Sequence, residues 1–246
     1  MPRTRELPPP LPPAERTVGQ LVAETIRFYG ARFWHALPLG IPFAVVDELA
    51  IGRSPGERSV VLAVAAPFLA ASYTAACALV APTRPSRRSL VLGVVTGTLV
   101  FLPAAALFTW FALLAVAYLA LVGLVVPASV LEGRGPLDAF RRAGDLGRAD
   151  YVHSLGSLAT LVIVVFLSRL VLVALLQGQA DNTVRVAVVL ADLALAPLLF
   201  LGASLLFFDQ AARVRSRRPD RRSRDADLHP PHDADAAGRA DPQVEP

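Results

Sequence analysis

The sequence predicts an all-α, polytopic transmembrane helical bundle of about six spans, preceded by an amphipathic helix at the membrane interface. Three observations support this fold class. Apolar residues make up 54% of the 246 residues, and the charged residues concentrate at the two ends and in a few short segments. Between them lie apolar stretches of about 20 residues, the length at which a helix crosses a bilayer. A soluble domain of this length would spread charges over its whole surface.

Six predicted spans cover residues 34–51, 60–81, 90–108, 111–131, 155–176 and 184–208. The first is the least regular, because Pro38 and Pro42 interrupt it and prolines kink helices. Asp47 and Glu48 also lie near its far end. A re-entrant or tilted segment is therefore an alternative to a full crossing at this position.

Spans three and four come from one unbroken apolar run between Leu90 and Leu131. The run is about twice as long as one crossing needs, which predicts two helices joined by a tight turn. We expect the turn near Thr109, because the aromatic residues around it fit a membrane–water interface. Pro103 is a rival break point.

Four further segments flank or connect the spans. Residues 1–14 are rich in proline and predicted to be disordered, whereas residues 15–33 have apolar positions on one helical face, typical of an interfacial helix. Pro136 is expected to open an amphipathic helix between spans four and five. Residues 211–246 contain few apolar side chains, so we predict a disordered tail after the membrane domain of residues 15–210.

The arginines predict the orientation in the membrane. Every basic residue is Arg, and most lie in the N-terminal segment, the loops after spans two and four, and the C-terminal tail. The opposite side carries only Arg53, Arg58 and Arg185. The positive-inside rule then places both termini in the cytoplasm. Because an Arg-, Ala- and Pro-rich composition is typical of GC-rich bacteria, we expect a multi-pass protein of the bacterial plasma (inner) membrane.

Arg169 and Asp192 are charged residues deep inside spans five and six. Each lies about seven or eight residues from the loop between these spans, or roughly 10–12 Å at 1.5 Å per residue. Opposite charges at matched depth on antiparallel neighbours predict an intramembrane ion pair. The pair is either a structural clasp or a substrate or proton site.

Five other charged residues form possible polar sites. Asp47 and Glu48 are adjacent, so on a helix they point about 100° apart and cannot both face one interior site. They either end the first span at the interface or supply a cation site or a partner for Arg169. Glu132 is expected to pair with Arg141 or Arg142 at the cytoplasmic face, in a binding role or as an ordinary surface ion pair.

The polybasic run after the last span is expected to contact anionic lipid headgroups, at about 1 kcal/mol per arginine. It consists of Arg213, Arg215, Arg217, Arg218, Arg221, Arg222 and Arg224. We interpret the net charge of +4 as a topology signal and expect no nucleic-acid partner. The single cysteine, Cys77, and the scattered histidines predict no metal site, and no motif predicts a cofactor or a catalytic residue.

One stretch carries a family resemblance. Residues 126–133 (VPASVLEG) are followed by residues 136–143 (PLDAFRRA). This pattern resembles the six-helix membrane domain of glycerophosphoryl diester phosphodiesterases and related uncharacterised bacterial integral membrane proteins. The resemblance implies the architecture; the phosphodiesterase barrel, with its histidine and metal-binding carboxylates, has no counterpart in the sequence.

Three classes of function fit these observations. The sequence favours a non-catalytic membrane protein, an accessory or scaffold of the cell envelope with a possible lipid-handling role and a membrane protein as its possible partner. The alternative is a small-solute or ion transporter or channel that uses Arg169 and Asp192. A lipid-modifying enzyme would need several carboxylates or histidines at one interface, a pattern that the sequence does not display.

Overall fold

The computed structural model describes residues 12–228, with side chains through Ser216, and every regular element in that range is helical. The helices are α1 (Val18–Ala31), α2 (Phe33–Ala36), α3 (Ile41–Ala50), α4 (Pro55–Val80), α5 (Arg87–Trp110), α6 (Ala112–Val122), α7 (Val125–Leu131), α8 (Pro136–Ala149), α9 (Tyr151–Leu175) and α10 (Asp181–Leu228). The all-α prediction is confirmed.

Five helical segments in the described part are long and apolar enough to cross a membrane. They are α4, α5, α6 together with α7, α9, and α10 as far as Ser216. The chain is a multi-pass helical membrane protein. Phe111 separates α5 from α6, close to the turn expected near Thr109, while Pro103 lies inside α5 without ending it.

The first predicted span, residues 34–51, is not one helix. It consists of α2, a 3-10 turn over Leu37–Gly40, and α3, and the breaks coincide with Pro38 and Pro42, which cannot donate the backbone hydrogen bonds of a continuous helix. The count of five long helices instead of six follows from this interruption.

This broken segment nevertheless follows α10 in the antiparallel direction. Gly40 touches the backbone of Leu193, and Glu48 pairs with Arg185 further along. At its start, Ala36 belongs to the same buried cluster as Leu201. From Leu201 to Arg185, α10 rises about 24 Å at 1.5 Å per residue, so the broken segment runs beside a long stretch of α10.

The ends of the bundle differ in charge. One end, here called the arginine-rich end, holds the loop at residues 81–86, helix α8, and the residues at which α1 begins and the α10 span finishes. The other, the arginine-poor end, holds the loops at residues 51–54 and 176–180. This is the grouping of loops that the positive-inside argument uses to place the first end in the cytoplasm.

Helix α1 lies across the arginine-rich end. Thr17 and Gln20 form a capping box at its start, and Leu21 is buried against the bundle. Before the helix, Arg16 pairs with Asp209 of α10; after it, Arg32 donates a hydrogen bond to the carbonyl of Leu79 in α4. Because both contacts are at the same end of the bundle, α1 has the placement of an interfacial helix.

Helices α4 and α5 pack closely through small residues. A Cβ atom added to Gly97 would lie 2.8 Å from the Cβ of Ala70, and one added to Gly93 would lie 2.9 Å from the hydroxyl of Thr74. The spacing Gly93-x-x-x-Gly97 is the small-residue pattern that lets membrane helices approach. This spacing is visible in the sequence and predicts a close contact between membrane helices.

Helix α10 continues to Leu228 and therefore includes residues 211–228, which the sequence assigned to a disordered tail. Ala211 is buried and Arg213 is bound by the bundle, so the first turn beyond the span is fixed by tertiary contacts. Residues 1–11 and 229–246, which carry most of the remaining disorder predictions, lie outside the described residues.

Candidate functional site

Among the described residues, two groups of charged side chains are built around a buried carboxylate. The first, here called the charge triad, consists of Asp47 on α3, Arg169 on α9 and Asp192 on α10. The Arg169 guanidinium hydrogen-bonds to the Asp47 carboxylate, and its Nη1 lies 3.5 Å from Asp192 Oδ1. The Asp192 side chain is only 2% exposed, compared with 30% for Arg169. The triad therefore ties three segments together at a buried carboxylate.

The structure places Arg169 and Asp192 together, as their matched depth suggested. The adjacent carboxylates of Asp47 and Glu48 have different partners. Asp47 pairs with Arg169, whereas Glu48 pairs with Arg185 near the start of α10. Adjacent residues on a helix point about 100° apart, which lets each carboxylate meet a different arginine. Among the alternatives left open for Asp47, the geometry displays the partnership with Arg169.

Gly40 positions the triad. A Cβ at this residue would lie 2.2 Å from the carbonyl oxygen of Leu193, so the chain approaches α10 at backbone-to-backbone distance. Leu193 directly follows Asp192. The same close approach therefore brings α3, and with it Asp47, against the buried carboxylate of α10. No feature of the sequence pattern predicted this role of Gly40.

The second group, here called the terminal network, lies at the arginine-rich end and was not predicted. Arg16 Nη1 lies 3.3 Å from Asp209 Oδ1, and Arg213 Nη1 lies 2.8 Å from Asp150 Oδ2. Arg213 also donates to the carbonyl oxygen of Arg16 at 2.6 Å, and Gln210 donates to that of Asp150 at 3.3 Å. The network fastens the start of α1 and the α8–α9 junction to α10.

Arg213 was expected to contact lipid headgroups, but the structure places its side chain in the terminal network. Its neighbour Arg215 is exposed and available to a lipid surface. The side chains of the other arginines of the polybasic run lie outside the described residues: Arg217, Arg218, Arg221, Arg222 and Arg224. The headgroup prediction therefore stays a prediction for the residues after Arg213.

Arg213→Ala should destabilise the protein, because it removes the ion pair with Asp150 and the hydrogen bond to the Arg16 carbonyl. Hydrogen bonds to charged groups contribute about 1.5–3 kcal/mol, and we expect a loss in this range. Arg215→Ala, two residues away and exposed, is the matched control and should cost below about 0.5 kcal/mol. Thermal unfolding in detergent measures both; equal effects would contradict the network.

Glu132 closes the turn between α7 and α8. Its carboxylate accepts from Arg142 at 3.1 Å and also contacts Arg134. Arg141 instead approaches Asp138 at 4.0 Å, and both of these side chains are largely exposed, so this second pair contributes under about 1 kcal/mol. Glu132 and Arg142 thus form the local contact that the sequence suggested for the cytoplasmic face.

The fold and the two charge groups define a multi-pass helical membrane protein with ionic contacts between its segments. No known protein family, no curated protein and no solved structure matches the chain. Its function is therefore inferred from its own residues.

Proposed function

We propose that the chain is a non-catalytic accessory protein of the bacterial plasma membrane, with both termini in the cytoplasm. The use of charge inside the bundle carries the proposal. Arg169 binds Asp47 and Asp192, and Arg185 binds Glu48, so each of these charges engages another segment of the same chain. Charges arranged in this way clasp helices together, whereas an enzyme directs several reactive groups toward a substrate.

We infer that the exposed face of helix α9 binds a partner. Only 11% of the helix's apolar stretch is buried inside the protein, compared with 33% to 56% for the apolar stretches of the other four long segments. Its large exposed residues include Ile163, Phe166, Leu167, Leu170 and Val171.

Two polar side chains interrupt that apolar face. Ser168 is exposed, and Arg169 is 30% exposed despite its contacts in the charge triad. Lipid tails offer these groups no hydrogen bonds, and even the mildest insertion scales assign an intramembrane arginine a cost of about 2.5–3.5 kcal/mol. A transmembrane helix of another protein, with a polar residue at this level, would satisfy them. We therefore commit to a membrane protein as the occupant of this face.

Purification from native membranes combined with site-specific photo-cross-linking tests the proposal. A photoreactive residue at Phe166 on α9 should give one defined protein adduct, and the same protein should co-purify stoichiometrically without cross-linking. Phe68 on α4 is equally exposed and is the matched control, which should label only lipid. If Phe166 also labels only lipid and the chain purifies alone, the accessory role with a protein partner is wrong.

A transporter or channel is the second candidate, and one observation favours it. Asp192 Oδ2 is buried and has no hydrogen-bond partner among the described residues, as expected of a group that meets a transported species. Lipid handling, which the resemblance to the phosphodiesterase membrane domain suggests, is a further form of the accessory role. Flux into liposomes containing only the purified chain would favour transport, and a single enriched lipid in the purified protein would favour lipid handling.

A further inference from the structure

The charge triad contains one more acidic group than basic groups. Asp47 and Asp192 supply two carboxyls, and Arg169 supplies one guanidinium. The neighbouring charges do not correct the difference, because Glu48 and Arg185 form a separate, balanced pair. Helix α4, which also packs on α10 and α3, carries no charged residue between Ser59 and Val80. Among the described residues, the triad is therefore left with a surplus negative charge if both carboxyls are ionised.

This surplus lies where ionisation is costly. The Asp192 side chain is almost completely buried, and its position is about 16 Å along α10 from Asp181 at 1.5 Å per residue. A charge in the hydrocarbon region is unfavourable, and two adjacent carboxylates disfavour each other's ionised forms. Arg169 can neutralise one of the two carboxylates, and the second needs another cation.

The hydrogen-bonding groups indicate which cation neutralises the second carboxylate. Asp47 and Asp192 both contact the same Arg169 guanidinium, yet the buried Asp192 Oδ2 has no hydrogen-bond partner among the described residues. Two ionised carboxylates can only accept hydrogen bonds, so they cannot bond to each other. A proton on either carboxyl turns it into a donor for its neighbour and removes the surplus charge at the same time.

We propose that the charge triad is a proton-binding site, in which Asp47 and Asp192 share one proton while Arg169 neutralises the remaining carboxylate. The proton belongs to the pair and not to either residue alone, as expected for strongly interacting acids. Release of the proton restores the surplus charge between α3 and α10, so occupancy of the site is coupled to the attachment of the broken first segment. This proposal does not depend on the accessory role.

Infrared spectroscopy of the full chain in lipid nanodiscs tests the site. At neutral pH, the protein should show the C=O stretching band of a protonated carboxyl group, and the band should shift in D2O. Asp192→Asn should remove it, because Arg169 keeps the single remaining carboxylate ionised. Asp47→Asn should remove it for the same reason and serves as the second variant if Asp192→Asn does not fold. Glu48→Gln is the matched control and should retain the band.

Two results would overturn the proposal. One is a neutral-pH spectrum of the native chain without a carboxyl band, or with a band that persists in both asparagine variants. The other is evidence that a metal cation balances the charge: thermal stability that rises saturably with sodium chloride but not with choline chloride, together with an absent carboxyl band. Loss of the band in both asparagine variants and its retention in Glu48→Gln would support the shared proton.

Discussion

Gly40→Ala should fold poorly, because the added methyl group has no space. Its Cβ would lie 2.2 Å from the carbonyl oxygen of Leu193, and a backbone atom cannot rotate away as a side chain can. Overpacking of this kind costs about 1–3 kcal/mol, and we expect the upper part of that range. The 3-10 turn and α3 would separate from α10, which would carry Asp47 away from Arg169.

Gly19→Ala is the control for this experiment. Gly19 lies in α1 of the same N-terminal segment, and an added Cβ would meet no atom within 4 Å. Alanine is the better helix former by about 1 kcal/mol, so this variant should be as stable as the native protein or more so. Size-exclusion chromatography and thermal unfolding in detergent compare the two. Equal stability of both variants would mean that the segment does not approach α10 at Gly40.

Arg169→Met should destabilise the protein strongly, because it leaves Asp47 and Asp192 without their shared counter-ion. Breaking a buried ion pair by removing one partner costs about 3–5 kcal/mol. Acidic pH should reduce this deficit, since protonation removes the charge of both carboxyls. Thermal unfolding of the variant over a pH series measures the effect, and a deficit that is small or independent of pH would contradict the triad.

Arg185→Met is the matched control for Arg169→Met. It also removes an arginine that pairs with an acidic residue of α3, but the Arg185 side chain is 61% exposed. Exposed ion pairs contribute roughly 0–1 kcal/mol, so the control should remain close to native stability. A charge exchange gives independent evidence: Arg169→Asp should lower the folded yield, and adding Asp192→Arg should restore part of it by placing an arginine beside two aspartates.

The spacing of charges along the sequence predicted two of the three members of the triad. With the predicted span bounds, Arg169 and Asp192 lie about seven and eight residues from the same loop, so two antiparallel helices joined by that loop are expected to align them. Asp47 could not be assigned in the same way. Its place depends on how the chain continues after Pro38 and Pro42, and prolines mark a break without setting the direction that follows.

The terminal network could not be derived from periodicity. Arg16, Asp150 and Asp209 are far apart in the sequence, and they meet only because α1 crosses the end of the bundle beside α9 and α10. One local signal was available: Asp209 and Gln210 directly follow the apolar residues of the last span, yet both are fully buried. A buried acid at the end of a span predicts a partner, although not which one.

The measurement that tests the membrane arrangement most directly is the labelling of single cysteines from one side of the membrane. The native Cys77 is buried, so it should contribute little background. Gln179→Cys lies in an exposed loop at the arginine-poor end, and Thr83→Cys in an exposed loop at the arginine-rich end. In intact cells, a membrane-impermeant maleimide should label Gln179→Cys at once and Thr83→Cys only after permeabilisation. The opposite pattern would reverse the orientation, and equal labelling of both sites in intact cells would contradict a bundle that crosses the membrane.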